Sequence, residues 1–261
     1  LDWWDKHGRK DLPWQHPRTP YRVWVSEIML QQTQVKTVIP YFNRFVEEFS
    51  DVDALANAQD DDVLAFWSGL GYYARARNLL KSAKICQQKY QSRLPETPEE
   101  LVSLPGIGES TANAIYSQAY NRPAVILDGN VKRVLARYLA VEGWPGKSSI
   151  HKHLWSNAEL LLPRERGADY TQAIMDLGAT VCTRTKPACS QCPVSTGCSA
   201  FKAGAVDQFP SRRPALTKTS KSFQMLILTD GDGNPDYLES SIDDSDGDGV
   251  ANQSDPEDAN Q

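Results

Sequence analysis

The sequence has no apolar run long enough to cross a membrane, which excludes a membrane-spanning class and leaves a chain of ordinary globular composition. It shows no secretory signal, so a cytoplasmic protein is expected and a disulfide framework is disfavoured. Between Asp230 and Gln261 it has no Lys or Arg, while eleven Asp and Glu gather there. The formal net charge of −5 therefore misrepresents the body, since residues 1–229 are net positive by six. A mildly basic body with an acidic tail fits a nucleic-acid partner for the body alone. The length allows one large domain or two modest ones. The chain opens on Leu1 rather than Met, so its natural N-terminus is expected upstream.

What is present is concentrated in short segments. Leu104-Pro105-Gly106-Ile107-Gly108 makes a tight turn between two helical patterns. Thr97, Pro98 and Glu100 announce the first as cap, first-position proline and capping-box partner. Ala112, Ile115, Tyr116 and Ala119 share one face of the second. Two glycines around one apolar residue bring backbone N–H groups up to a ligand, and the following helix adds more, with a partial positive charge. That suits one phosphate of a nucleic-acid backbone, gripped without reading a base. An ordinary helix–helix turn has the same spelling in isolation, so the rest of the chain has to decide.

The pattern predicts a helix over residues 22–49, broken near Pro40. On it Glu27, Gln31 and Gln34 fall at i, i+4 and i+7 beside apolar Val25, Ile28, Met29 and Leu30. Such a stripe can simply face solvent. In a cleft, burial would instead raise the Glu27 pKa and make it a general acid, with glutamines able to fill the gap left by an extruded base. Asp128 precedes a helix expected over Val131–Glu142, where an N-cap is the plain reading. The functional reading is a second carboxylate, kept ionised by neighbouring donors. Two carboxyl groups in different protonation states are what glycosidic cleavage needs. Lys132, Arg133 and Arg137 on that helix are candidates for a phosphate backbone. Gly69–Arg77, with Tyr72, Tyr73, Arg75 and Arg77, fits either a loop that wedges aromatics into a base stack or a turn before a solvated helix. Trp3 and Trp4 are assigned to the core, Trp14 to the edge of a cleft, and Cys86 to a buried thiol without chemistry.

The strongest local signal is Cys182-x6-Cys189-x2-Cys192-x5-Cys198. Four thiolates in one segment suit zinc or an iron–sulfur cluster. Zinc sites favour two close pairs; only one pair is close here, which favours a [4Fe–4S] cluster. Arg184, Lys186 and Lys202 would let this loop approach DNA too.

Together these segments resemble the helix-hairpin-helix DNA glycosylases of the endonuclease III superfamily, and within it the MutY-type adenine DNA glycosylases. The likeness rests on Leu12-Pro13-Trp14, Trp24–Thr33, Gly69–Leu79, the hairpin, Leu127–Val131, Met175–Gly178 and the cysteine run, and it covers residues 1–229. It implies an all-α fold: a six-helix barrel over residues 16–124, packed on an iron–sulfur domain from residues 1–15 and 125–201. It implies that Glu27 protonates adenine at N7 and later handles water, and that Asp128 stabilises the oxocarbenium-like sugar. Leu30, Gln31, Gln32 and Tyr72 would surround the intercalation site, with Asn130 also among the DNA-binding residues, and Trp14 would line the base pocket. Leu104, Gly106 and Gly108 would hold phosphate through the backbone, with a monovalent cation in the hairpin. Cys182, Cys189, Cys192 and Cys198 would hold the cluster. The implied partner is duplex DNA containing A:8-oxoguanine or A:G mispairs, bound by a monomer. Strand-cleaving relatives carry lysine where this chain has Ser110; a hydroxyl cannot form the Schiff base, so hydrolysis without strand cleavage is expected. The alternatives are a glycosylase with lyase activity, or a non-catalytic DNA-binding iron–sulfur module.

The chain departs from that family at its C-terminal end. Residues 202–221 read as a linker and 222–229 as the first strand of a Nudix-like domain that then stops. Residues 230–261 read as a disordered acidic tail, although Asp244–Asn252 resembles a calcium-binding repeat.

Overall fold

The described residues fold into helices, four of them opened by a capping side chain. In the computed structural model, which describes residues 1–214, these run from the N-terminus as α1 (Asp2–His7), α2 (Pro20–Leu30), α3 (Val35–Glu48), α4 (Val52–Ala56), α5 (Asp60–Trp67), α6 (Ala74–Lys89), α7 (Pro98–Val102), α8 (Glu109–Tyr120), α9 (Gly129–Tyr138), α10 (Ser148–Leu160), α11 (Gly167–Asp176) and α12 (Ser199–Lys202). There is no strand among the described residues. Thr19 caps α2 by accepting from the Arg22 amide at 3.2 Å, with Pro20 in the first turn. Thr97 does the same for α7 and donates its hydroxyl to Glu100 Oε2 at 2.8 Å, so the expected pair meets side chain to side chain. The rest of the expected linker, the expected strand at 222–229 and the acidic tail lie outside the described residues.

Two helix boundaries differ from the sequence pattern. The helix expected over residues 22–49 breaks at Gln31–Gln34, and Pro40 sits inside α3. Gln32 takes a left-handed φ of 58°. The Arg75 guanidinium donates to the carbonyls of Ile28, Met29 and Gln31, and so ends α2. Pro40 removes one amide donor from α3 without ending it. Glu27, Gln31 and Gln34 therefore do not form one helical stripe: Gln31 caps the end of α2 and Gln34 the start of α3. Likewise α9 stops at Tyr138, short of Glu142, with Ala140 left-handed at φ 51°.

Among the described residues, buried apolar side chains form three clusters. The largest runs from Leu12 to Ile115 and includes Trp14, Trp24, Phe42, Phe45 and Trp67. Each fully buried tryptophan removes roughly 200 Å² from water, on the order of 5 kcal/mol. The second joins Ala114 to Leu127, Val131, Leu135 and Leu154. The third is small: Val134, Leu177 and Val181, with Trp3, Cys182 and Cys192 packed against it. Because α8 gives Ala112 and Ile115 to the first cluster and Ala114 to the second, it stands between them. At the end of α11, buried Asp176 accepts from Trp4 Nε1 (3.2 Å), the Arg9 amide (2.8 Å), the Arg9 guanidinium (2.6 and 2.8 Å) and Gln172 Nε2 (2.8 Å). The N-terminal segment is thereby tied to α11. Past α12, the Phe209 carbonyl accepts from Arg137, and the Ser211 hydroxyl accepts from the Gly143 amide.

Candidate active site

Glu27 and Asp128 line the same cleft, of about 680 Å³. Glu27 lies in the last turn of α2, and Asp128 is the N-cap of α9. Trp14, Leu30, Gln31, Gln32, Ser110 and Asn130 line it as well, as do Gln172 and Met175 of α11. Arg9, Lys36, Arg133 and Arg184 add positive charge. Both carboxylate residues keep some surface toward the cleft while their carboxyl groups are deep in the fold. Burial pushes Glu27 up to about 7; hydrogen bonding from Gln118 pulls against this, and the charge of Asp128 adds to it.

Asp128 is both the N-cap and a wall of the cleft. Its Oδ1 accepts from the Val131 amide at 2.7 Å, and its Oδ2 from Asn130 Nδ2 at 3.2 Å. The expected donors are therefore present. Burial nevertheless outweighs them and raises the Asp128 pKa, with Arg133 also opposing the rise. Glu27 has one side-chain donor, Gln118 Nε2 at 2.6 Å from Oε1. A proton held by the pair thus favours Glu27, which has fewer donors to its charged form, and the negative charge favours Asp128.

Ser110, in the first turn of α8, has its hydroxyl engaged: it accepts from the Leu127 amide at 2.9 Å, next to Asp128. In the hairpin, Gly106 has φ 78°, and a Cβ there would stand 3.0 Å from that of Asn78. Both facts call for glycine. Leu104 and Ile107 are buried beneath the turn. Leu104, Gly106 and Gly108 lie outside the cleft lining, but Gln31 Nε2 reaches the Gly106 carbonyl at 3.3 Å. Tyr72 is also outside the lining, 60% exposed, with a left-handed φ of 53°.

Arg133 and Arg137, candidates for phosphate contacts, are used internally instead, and so is Arg75. Arg75 is 8% exposed; besides ending α2 it donates to the Leu70 and Gly71 carbonyls, and its guanidinium lies 5.4 Å from both the Trp67 and the Tyr72 rings. It therefore joins the Leu30–Gln32 turn to the Gly69–Tyr73 loop. Arg137 is buried and donates to the carbonyls of Thr183, Arg184 and Phe209 and to Cys182 Sγ at 3.4 Å. Arg133 bonds the Cys182 and Gly178 carbonyls and Asn130. Arg77 is exposed. The buried carboxamide of Gln118 escaped the sequence reading. Its signal was a polar residue eight positions after Ser110, buried with Ala112, Ala114, Ile115 and Ser117 on the inward side of α8.

Cys182, Cys189, Cys192 and Cys198 are free thiols that line one small cavity, walled by Val134, Leu177, Val181 and Phe201. Burial raises Cys189 and Cys192, and the neighbouring thiols add to the rise. Among the described residues no three His, Cys, Asp or Glu side chains converge on a point that would hold a single metal ion. Four thiols around one apolar-walled space are the donor type that zinc or an iron–sulfur cluster takes.

Residues 25–159 match the model of the HhH-GPD superfamily base excision DNA repair proteins. The chain is 44% identical over 228 residues to a protein named adenine DNA glycosylase from Buchnera aphidicola (subsp. Acyrthosiphon pisum), covering 87% of this chain and 65% of that one. It is 42% identical over 224 residues to the adenine DNA glycosylase of Mus musculus, covering 81% of this chain and 43% of that one. The chain thus spans about two thirds or less of the length of these relatives. Among solved structures, a thermostable thymine-DNA glycosylase superposes with a TM-score of 0.70 at 28% identity, over 77% of this chain and 93% of that one.

Proposed function

The chain belongs to the HhH-GPD superfamily of base excision DNA repair proteins, and from that premise we propose that it hydrolyses the N-glycosidic bond of adenine mispaired with 8-oxoguanine or guanine in duplex DNA. The observation that carries this reading is the pair Glu27 and Asp128 in one cleft, with Glu27 buried and pushed up to about 7. The names borne by the relatives supply the base. An extruded adenine enters beside Trp14, and Glu27 gives its proton to N7. The glycosidic electron pair leaves with the base, and the sugar cation that remains is stabilised by the Asp128 carboxylate. Water adds to C1′, and its proton returns to Glu27. Ser110 offers no amine, so the strand is left uncut. Leu30, Gln31, Gln32 and Tyr72 belong to the two turns joined by Arg75, which would enter the stack, and Asn130, bonded to Asp128, would meet the DNA. Leu104–Gly108 would hold a phosphate, with a monovalent cation on the hairpin carbonyls.

We read the four thiols as ligands of a [4Fe–4S] cluster whose chemistry here is structural, stapling the loop from Cys182 to Cys198. Arg137, with its bond to Cys182 Sγ, would support it.

Single-turnover adenine release from A:8-oxoguanine and A:G duplexes tests the reading. Release is expected from the unaltered chain and a loss of at least a hundredfold with Glu27→Gln, following the usual weight of general acid catalysis, about 10²–10⁴. No release from either duplex sinks the assignment and leaves a DNA-binding module. Strand nicking without added alkali would instead favour a lyase, with exposed Lys36 at the cleft rim the amine to test first.

A further inference from the structure

One helix bonds both Glu27 and the residue before Asp128. Near the start of α8 the Ser110 hydroxyl accepts from the Leu127 amide (2.9 Å). One turn on, Asn113 Nδ2 donates to the Val125 carbonyl (2.7 Å). In the next turn the buried Ser117 hydroxyl accepts from Thr171 of α11 (2.8 Å), and Gln118 Nε2 donates to Glu27 Oε1 (2.6 Å). Gln118 is 2% exposed. A carboxamide buried at such a place costs stability unless its hydrogen bond offsets the lost hydration.

Nothing else does its work. Of the charged groups lining the cleft, Arg9 is taken by Asp176, and Arg133 by Asn130 and two carbonyls. Lys36 and Arg184 are exposed at the rim, and Asp128 brings a like charge. Among the described residues Gln118 supplies the hydrogen bond to the Glu27 carboxyl.

We propose that Gln118 is a positioning residue for Glu27: its amide fixes Oε1 inward, so that the proton to be delivered sits on Oε2, facing the base. The inference rests on the glycosylase reading above. A donor aimed at Oε1 favours a lone pair there and leaves Oε2 for the proton. It also keeps a carboxylate stabilised at the moment its proton leaves for N7. Donation to the charged form opposes the upward push of burial on Glu27.

The full chain is compared with Gln118→Leu and Gln118→Met, near-constant in volume and without the amide. Two readouts are taken: the carboxyl ¹³C titration of Glu27, assigned by its loss in Glu27→Gln, and the pH profile of single-turnover adenine release from an A:G duplex. The Glu27 midpoint is expected to rise by about one pH unit in both variants. The alkaline limb of release should move with it, release at its optimum should slow about tenfold, and duplex affinity should stay within about twofold. Unmoved midpoints overturn the proposal. Should neither variant fold, the unaltered chain still decides: the Gln118 side-chain amide resonances must shift through the Glu27 titration, and their indifference overturns the proposal equally. If the unaltered chain releases no adenine while the midpoints move, the enzyme reading fails and the Gln118–Glu27 coupling stands.

Discussion

At the scale of single residues, the carboxyl of Glu27 trades stability for chemistry. Its pKa is pushed from the ordinary 4.5 to about 7, mainly by burial, so the folded chain holds a proton that the unfolded chain releases. Below about pH 4.5 both states are protonated and there is no penalty. As pH rises from 4.5 to 7 the penalty grows, to roughly 3 kcal/mol at 1.36 kcal/mol per unit. Glu27→Gln should therefore be more stable than the unaltered chain at pH 8, and the advantage should vanish near pH 4.5. Urea denaturation at both values checks this; equal differences at the two would exclude a titrating penalty. Residue 106 allows a second prediction. Gly106→Ala would force a left-handed backbone and press against Asn78, costing about 1–2 kcal/mol and weakening duplex binding through the hairpin. Thermal melts and a binding titration measure the two effects separately.

At the scale of elements, the Arg75 guanidinium is the joint between α2 and the loop before α6. Arg75→Ala leaves five carbonyls without their charged donor and should cost about 2–4 kcal/mol. Hydrogen exchange should quicken in residues 28–33 and 69–75 together; a change in one stretch alone would contradict the joint. Sequence reasoning found the helix that Thr97 and Pro98 open and the glycine turn after it, because those rest on local chemistry. It placed the break in residues 22–49 at Pro40, because the agent that ends α2 is an arginine 44 residues beyond Gln31, invisible to any local pattern. The same limit offered Arg133 and Arg137 to the phosphates and left Arg75 open between a DNA wedge and a solvated helix start. Charge is legible in a sequence, but whether a guanidinium meets solvent or a ring of carbonyls is decided by packing. Glu27 and Asp128 were legible as chemistry, whereas their sharing one cleft depends on how α8 sets α2 against α9.

At the scale of the whole molecule, the apolar side chains divide into one large cluster and two smaller ones. The thiol-lined cavity belongs to the smallest neighbourhood, Val134, Leu177 and Val181. A cluster held there would do most for the parts with least core of their own. Oxidative removal of bound iron should therefore raise hydrogen exchange from Cys182 to Phe209 and at the end of α9, and leave α2 to α7 as protected as before. Uniform loss of protection would mean that the cysteine loop supports the entire fold. The basic body also predicts steep salt dependence of duplex binding, measurable as the slope of log affinity against log salt.

The bonds from Ser110 and Gln118 tie the Leu127 amide, beside Asp128, and the Glu27 carboxyl to one helical rod. When thermal motion rocks that rod, both groups ride with it, as marks do on a ruler. On the glycosylase reading, such a mounting would keep the spacing of the two acids while the surrounding turns adjust to a duplex.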